Sequence, residues 1–371
     1  MKPGIILIVF MIIVYVMSSS FFISEVLLPE SRTTHLDTDF LNRLVKLSRP
    51  VLKPSGKGFD AKAVYNPAVV YVNGTFYLFY RAQKAWHGTS VIMLAVSRDG
   101  VNFVRLNLTV LYPTLREEMG GGCEDPRIVK VNNTYYMTYT AYDGVTARLA
   151  LARSRDLIHW EKLGVVFPDW GWSKSGAILP VKINGKYVMY FGDSNIWIAY
   201  SDDMVHWVTS RDWVVLRPRP GYFDSKLVEP GPPPILTDEG ILLIYNAADE
   251  NNRYSVGWVL FSKDDPTKVI ARSEKPILEP EFEWEIYGQV PNVVFATSLV
   301  MVNDRLYLYY GAADTYVGLA VASLETLFNE STTSAEVYTG GGTVFANIVA
   351  VFLVGFVLGV VVGLTARRYL R

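Results

Sequence analysis

Five times along this chain a tyrosine closes an aromatic run of β type: TFYLFY ending at Tyr80, TYYMTY at Tyr139, GKYVMY at Tyr190, GILLIY at Tyr245 and RLYLYY at Tyr310. Before each run stands another apolar segment and a turn, in VYVNGT, VKVNNT, VKINGK, ILTDEG and VMVNDR. Asn, Asp and Gly between two such runs read as β-hairpins. A third run follows each hairpin (VIMLAVSRDG, LALARSRDL, IWIAYSDDM, SVGWVLFSKDD, VGLAVASLE), and a hydrophobic-x-Pro step marks a fourth element at Pro54, Pro113, Pro168, Pro218 and Pro280. Four short strands repeating about every 50–65 residues are the pattern of a propeller, in which each unit covers its neighbour. No long amphipathic helix interrupts the repeats, which speaks against a parallel α/β sheet. The sequence therefore predicts an all-β, five-bladed β-propeller over residues 49–328.

The fifth repeat runs out after Leu327 without its own Pro-marked strand, while an extra copy, Val51–Pro54, precedes the first. This N-terminal strand is expected to complete the last blade and remove an exposed edge. Residues 29–48 form a linker, with a short helix expected over Leu36–Leu47.

Both ends are apolar. Thr343 to Thr365 carries no charge and as a helix would reach roughly 35 Å, enough to cross a bilayer. Arg367, Arg368 and Arg371 follow in the 367–371 tail, which places the C-terminus in the cytoplasm. The expectation is thus a transmembrane helix over 343–366 after a polar stalk at 329–342. Residues 1–28 hold a second apolar run, Gly4 to Met17, followed by Ser18, Ser19 and Ser20; it reads either as a cleaved signal or as an N-terminal anchor. Either way the cell membrane is an expected partner, with the propeller outside it. Sequons at Asn73, Asn107, Asn132 and Asn329 agree with export.

A formal charge of −1 excludes a basic surface for nucleic acid, and the single Cys123 excludes a disulfide framework and a multi-cysteine zinc site. The scattered His87, His159 and His206 suggest no metal, and no cofactor is expected. Aligning the repeats brings five polar points to the inner strands: Tyr65-Asn66-Pro67, Glu124-Asp125-Pro126-Arg127, Lys174-Ser175-Gly176, Glu229-Pro230-Gly231 and Pro291-Asn292. Just past each second strand lie Arg81, Tyr142-Asp143, Asp193, Asp249 and Asp314. A lone Asp-Pro is more often a turn. Five aligned polar positions around a funnel instead suit a polyhydroxylated ligand, whose hydroxyls both donate and accept.

The segments YNPAVVYVNGTFYLFYRA, EDPRIVKVNNTYYMTYTAYDG, GPPPILTDEGILLIY, DDPTKVIARSEKPILEP and VPNVVFATSLVMVNDRLYLYYGAADTYVGLA resemble glycoside hydrolase family 130, from roughly Ser48 to Leu327. That resemblance implies a five-bladed propeller acting on β-mannosides, so a mannose-containing oligosaccharide or surface glycan is the expected partner. It implies that Asp125 is the catalytic acid of an inverting mechanism, acting on the bridging oxygen directly or through a sugar hydroxyl. Asn66, Arg81 and Asp314 match positions that hold the reacting mannose. Glu124, Tyr142, Asp143, Lys174, Asp193 and Asn292 complete the candidate substrate-binding set. Arg127 reads better as a structural ion pair to a neighbouring blade, and Lys174 either touches substrate or neutralises carboxylates.

Phosphorolysis needs cations to hold phosphate. The family's phosphorylases carry a His-Arg pair after the second strand of blade three and Tyr-His-Gly in blade four. This chain has Phe191-Gly192-Asp193 and Tyr245-Asn246-Ala247 there. With Asp193, Glu229 and Asp249 nearby, the sequence favours hydrolysis, with Glu229 as base and Asp249 in reserve, unless Glu229 is instead salt-bridged to Lys174 or Lys226. A β-mannoside phosphorylase or transglycosylase, and a non-catalytic glycan-binding propeller, are the alternatives.

Overall fold

Four of the five repeats fold as an antiparallel sheet of consecutive strands, and the fifth borrows its outer strand from the N-terminal segment, because Asn-Gly and related turns reverse the chain where apolar alternation pauses. The computed structural model describes Leu41 and residues 43–323. Blade one holds Ala63–Val72, Thr75–Gln83, Ser90–Ser97 and Val104–Leu111; blade two holds Gly122–Val131, Thr134–Tyr142, Ala147–Ser154 and Glu161–Val165. Blade three is Ala177–Ile183, Lys186–Phe191, Ile196–Ser201 and Trp207–Leu216. In blade four the inner strand is split into Leu227–Pro230 and Ile235–Leu236, followed by Ile241–Ala248, Tyr254–Phe261 and Val269–Arg272. Blade five is Val294–Val302, Arg305–Ala312 and Tyr316–Ser323, with Val45–Lys46 as its outer strand. At the hairpin turns Asn73-Gly74 and Asn184-Gly185 both residues have positive φ (48° and 76°; 50° and 81°), the geometry that matches the twist of the flanking strands.

The ring is closed by the N-terminal segment. Val45 pairs with Val321 and Lys46 with Ala320, and Leu52 bridges to Val317. The regular pairing thus falls at Val45–Lys46, inside the stretch expected to be helical, and the extra copy at Val51 and Leu52 continues the same edge through Val51 N to Val317 O, 2.9 Å. Apolar faces interleave between blades: Tyr80 and Leu78 pack with Tyr309 and Leu319, and Tyr190 and Ile198 with Tyr245 and Phe261.

The repeated tyrosine has a physical reason. In blade one its hydroxyl donates to buried Asp60 at 3.1 Å, and Arg105 of the outer strand pairs with that carboxylate at 2.6 Å. The arrangement recurs as Tyr139–Glu118–Lys162 (2.8 and 2.6 Å) in blade two and Tyr245–Asp224–Arg272 (2.7 and 2.5 Å) in blade four. Blade five repeats it as Tyr310–Glu285–Lys46, at 2.7 Å for both contacts. Blade three lacks the carboxylate, and Tyr190 donates to the Pro266 carbonyl at 2.8 Å. A buried carboxylate with both a hydroxyl donor and a cation is satisfied, and it clamps the second strand of the blade to the outer one.

The membrane part of the expected architecture is corrected. Residues 1–28 and 343–366 lie outside the described residues, and no described helix is long and apolar enough to cross a membrane. The one α-helix among the described residues, Glu283–Ile286, has four residues. Hydropathy alone establishes an apolar run, whereas a span requires a helix of bilayer length. The transmembrane helix, the membrane as partner and the cell-membrane location are therefore set aside. Asn73 and Asn132, counted as sequons, serve as hairpin turns, with φ of 48° and 54°.

Candidate active site

The funnel residues are aimed by one backbone device used around the ring. Asn66, Asp125, Ser175 and Asn292, at the equivalent point of blades one, two, three and five, all have positive φ (45°, 50°, 56° and 57°). Asn and Asp tolerate this left-handed conformation better than most residues. In blades one and two it coincides with a register slip, between Tyr65 and Ala68 and between Glu124 and Arg127, so the strand bulges and consecutive side chains leave their normal alternation. Blade four has Pro230 there, whose ring excludes positive φ.

This geometry brings Asn66, Arg81, Glu124 and Asp125 into one network. Asp125, only 4% exposed, accepts from Asn66 Nδ2 at 2.9 Å and Arg81 Nη1 at 3.1 Å, both on Oδ1. Arg81 Nη2 pairs with Glu124 Oε1 at 2.5 Å, and Ser90 Oγ bridges Arg81 Nε (2.9 Å) to that oxygen (3.1 Å). The Arg81 guanidinium also lies 4.6 Å from the Tyr65 ring centre. Opposite, Lys174 Nζ stands 3.2 Å from Glu229 Oε1, which also accepts from Ser175 Oγ. Arg127 is structural, but through carbonyls rather than a carboxylate: it donates to Gly231 O (2.7 Å) and Pro230 O (2.8 Å) of blade four.

Electrostatics separates the carboxylates. Burial pushes the Asp125 carboxyl up, but Arg81, Lys174 and the Asn66 bond outweigh it and hold the group below the usual range. Burial pushes Glu124 up, against Arg81 and with the charge of Asp125 adding to it. Burial also raises Glu229, against Lys174. Asp314, partly buried, is pushed up to about 6, first by burial and then by Asp125 and Glu229, against Arg81 and Lys174.

Other candidates are placed at the rim or in their own loops. Asp193 accepts from the indole of Trp172, whose ring meets Tyr142 edge-on. Asp143 caps its own turn through Val145 N (2.8 Å) and Thr146 N (2.7 Å) and pairs with Arg148 at 2.6 Å. Asp249 caps the turn at Asn251 N and Arg253 N, both 2.9 Å. The Asn292 carbonyl accepts from Tyr254 N at 2.9 Å, which ties blade five to blade four. The alignment of repeats does not reach Ser90, Trp172 and Tyr254, which the fold adds to the site. Burial and the charge of Glu229 raise the Tyr254 phenol, with Lys174, Asp314 and Asp193 also acting on it, so it belongs to the same cluster. Its only sequence signal was an aromatic one residue before the third run of blade four. Among the described residues no group of three or more His, Cys, Asp or Glu is placed to hold a metal ion.

Five four-stranded blades around a funnel of carboxylates, an amide, a guanidinium and aromatics define a carbohydrate-active propeller enzyme. The chain belongs to glycoside hydrolase family 130: residues 33–332 match the family model described as beta-1,4-mannooligosaccharide phosphorylase. A 1,2-beta-oligomannan phosphorylase of Thermoanaerobacter sp. (strain X514) is 43% identical over 76% of this chain and 99% of its own. A beta-1,2-mannobiose phosphorylase of the same organism is 42% identical over 76% and 98%. A solved structure from the family of mannoside phosphorylases, reported to contain glycoside hydrolases that target beta-1,2 mannosidic linkages in Candida mannan, is 35% identical, with a TM-score of 0.72 over 76% of this chain and 94% of that one.

These phosphorylases overturn the expectation of hydrolysis. The structure supplies the physical reason why the local reading misled. Asn246 does not line the funnel as a lost phosphate ligand; its amide bonds both Ala296 O (2.9 Å) and Ala296 N (2.7 Å). Phe191 is buried against Phe167, with ring centres 4.7 Å apart. Glu229 is engaged by Lys174 and Ser175, and Asp249 by its own turn.

Proposed function

We propose that this chain is a β-mannoside phosphorylase: it cleaves a terminal β-mannosyl unit with inorganic phosphate and releases α-mannose 1-phosphate. The observation that carries the reading is the pair of phosphorylases matched over 98–99% of their own length at 42% and 43% identity. The expected linkage is β-1,2, since both of those relatives act on β-1,2-linked mannosides, whereas the family model is described with β-1,4. Lys174 supports the reading as the funnel cation opposite the Asn66–Arg81–Asp125 network.

In this reaction a phosphate oxygen attacks C1 from the face opposite the glycosidic oxygen, the C1–O bond breaks, and the configuration inverts. The leaving oxygen takes a proton from Asp125, and the proton borne by the incoming phosphate makes up the loss. Asp125 is ionised in the free funnel because Arg81 and Lys174 hold its proton affinity down. Phosphate beside Lys174 adds negative charge and competes for that cation, so it drives Asp125 toward the protonated form the step requires. Asn66 and Arg81 fix the carboxyl's direction, and Asp314 and Tyr254 line the wall that the mannosyl unit meets.

The test incubates the full protein with β-1,2-mannobiose at rising phosphate. The expected result is α-mannose 1-phosphate in equal amount with mannose, at a rate that saturates in phosphate. Free mannose as the sole product, at a rate indifferent to phosphate, would overturn the proposal.

A further inference from the structure

Two tryptophans of the segment PDWGWS have opposite fates. Trp170 packs among Phe167, Phe191 and Trp197, with ring centres 6.0, 5.2 and 5.8 Å away. Trp172, two residues on, is 48% exposed. Its orientation is nonetheless set. The indole Nε1 donates to Asp193 Oδ2, and the ring meets Tyr142 edge-on at 6.3 Å and 68°. Tyr142 is itself wedged: a Cβ on Gly121 would stand 2.0 Å from its Cδ1, and its hydroxyl donates to Gly144 O at 3.0 Å. Gly192 N bonds Lys174 O at 2.9 Å, which ties the end of the strand carrying Asp193 to the segment that carries Trp172 and Lys174. An aromatic plane held at its edge and left open at its face, beside the funnel, is arranged for a ligand rather than for the core.

We propose that Trp172 is the stacking platform for the sugar unit on the leaving-group side of the scissile bond, with Asp193 and Tyr142 as its positioning residues. This rests on the phosphorylase reading for the direction of the substrate. Asn66 and Asp125 are each 4% exposed, so the reacting mannosyl unit lies deep and the remainder of the chain runs outward to the rim. A pyranose presents an apolar C–H face and a rim of hydroxyls. The face covers the indole, while Asp193 at the platform's edge accepts from a hydroxyl.

Two measurements on the full-length protein test this. In the Asp125→Asn background, which binds without turnover, calorimetric titration should show Trp172→Ala weakening β-1,2-mannobiose about tenfold and leaving mannose within twofold. In the synthetic direction from α-mannose 1-phosphate, Trp172→Ala should raise the KM of the mannose-containing acceptor about tenfold, with kcat and the KM of α-mannose 1-phosphate within twofold. Trp172→Phe should recover most of the loss. Asp193→Ala releases the indole and should follow Trp172→Ala, whereas Asp193→Asn keeps an oxygen for it and should lose less than Asp193→Ala. Equal weakening of mannose and mannobiose, or no weakening, overturns the platform. A protein that forms no α-mannose 1-phosphate but keeps the binding contrast overturns the phosphorylase reading and leaves the platform standing.

Discussion

Lys46 Nζ lies 2.7 Å from Glu285 Oε2 across 239 residues of sequence, and this contact completes in blade five the carboxylate clamp that blades one, two and four each build within a single repeat. Glu285 is fully buried and also accepts from Tyr310 and from the Glu281 and Phe282 amides, at 2.7, 2.7 and 3.0 Å. The ring is therefore closed by a buried ion pair as well as by a strand.

Removing one partner of such a pair leaves an uncompensated charge. Lys46→Met should cost about 3 kcal/mol, the range seen when a buried pair is broken from one side. Urea unfolding of the parent and variant checks this, with Lys162→Met as the equivalent clamp inside blade two. A change below about 0.5 kcal/mol for Lys46→Met would mean that strand pairing alone closes the ring.

Asp125→Asn preserves shape but cannot donate the proton. Turnover should fall by roughly 100- to 10,000-fold, the usual worth of a general acid, while mannoside binding persists. Steady-state phosphorolysis together with calorimetry reads both quantities. Near-parental turnover would remove Asp125 from the acid's role.

Gly311→Ala tests the support behind the acid. A Cβ there would sit 1.9 Å from Asn66 Oδ1 and 2.8 Å from Asn66 N, so Asn66 must move and Asp125 loses a fixed donor. Misplacement of about 1 Å near a reacting group can cost on the order of 100-fold in rate. The expected outcome is a loss of that order in kcat with near-UV circular dichroism unchanged; full activity would show that the site absorbs the shift.

Asp314 carries a pH signature. Its pKa rises from an ordinary 3.8 to about 6 on folding, so between those values the folded state holds a proton that the unfolded chain releases. The proton favours folding, and stability from this group is lost as pH rises from about 4 to about 6. Asp314→Asn removes the group, so thermal unfolding of the variant should depend less on pH across that window and should gain on the parent above it. Parallel curves for the two proteins would rule out this linkage.

The propeller was legible because its cause is local. Tyr80, Tyr139, Tyr190, Tyr245 and Tyr310 each close the aromatic run of a second strand whose turn residues and alternation are set within a dozen positions. The extra copy around Val51 disclosed the ring closure for the same reason, although the regular pairing settled earlier, at Val45–Lys46. Repeat alignment also found Asn66, Arg81, Glu124 and Asp125 together, since equivalent points of neighbouring blades face one funnel.

What the sequence determined by itself is thus the repeated blade, the family and the carboxylate at Asp125. Only the tertiary structure decided which groups are free to act. Asp193 and Asp249 looked like spare carboxylates beside the funnel, yet one holds the Trp172 indole and the other caps its own turn. Glu229 looked like a base and is paired with Lys174. The clamp carboxylates Asp60, Glu118, Asp224 and Glu285 stand 20, 21, 21 and 25 residues before their tyrosines, but the cation that each meets is fixed only once the strands have packed. Residue type and spacing specify a strand, whose geometry is periodic. The charge state and partner of a side chain depend on distances between chain segments far apart in sequence, and those exist only once the blades have packed.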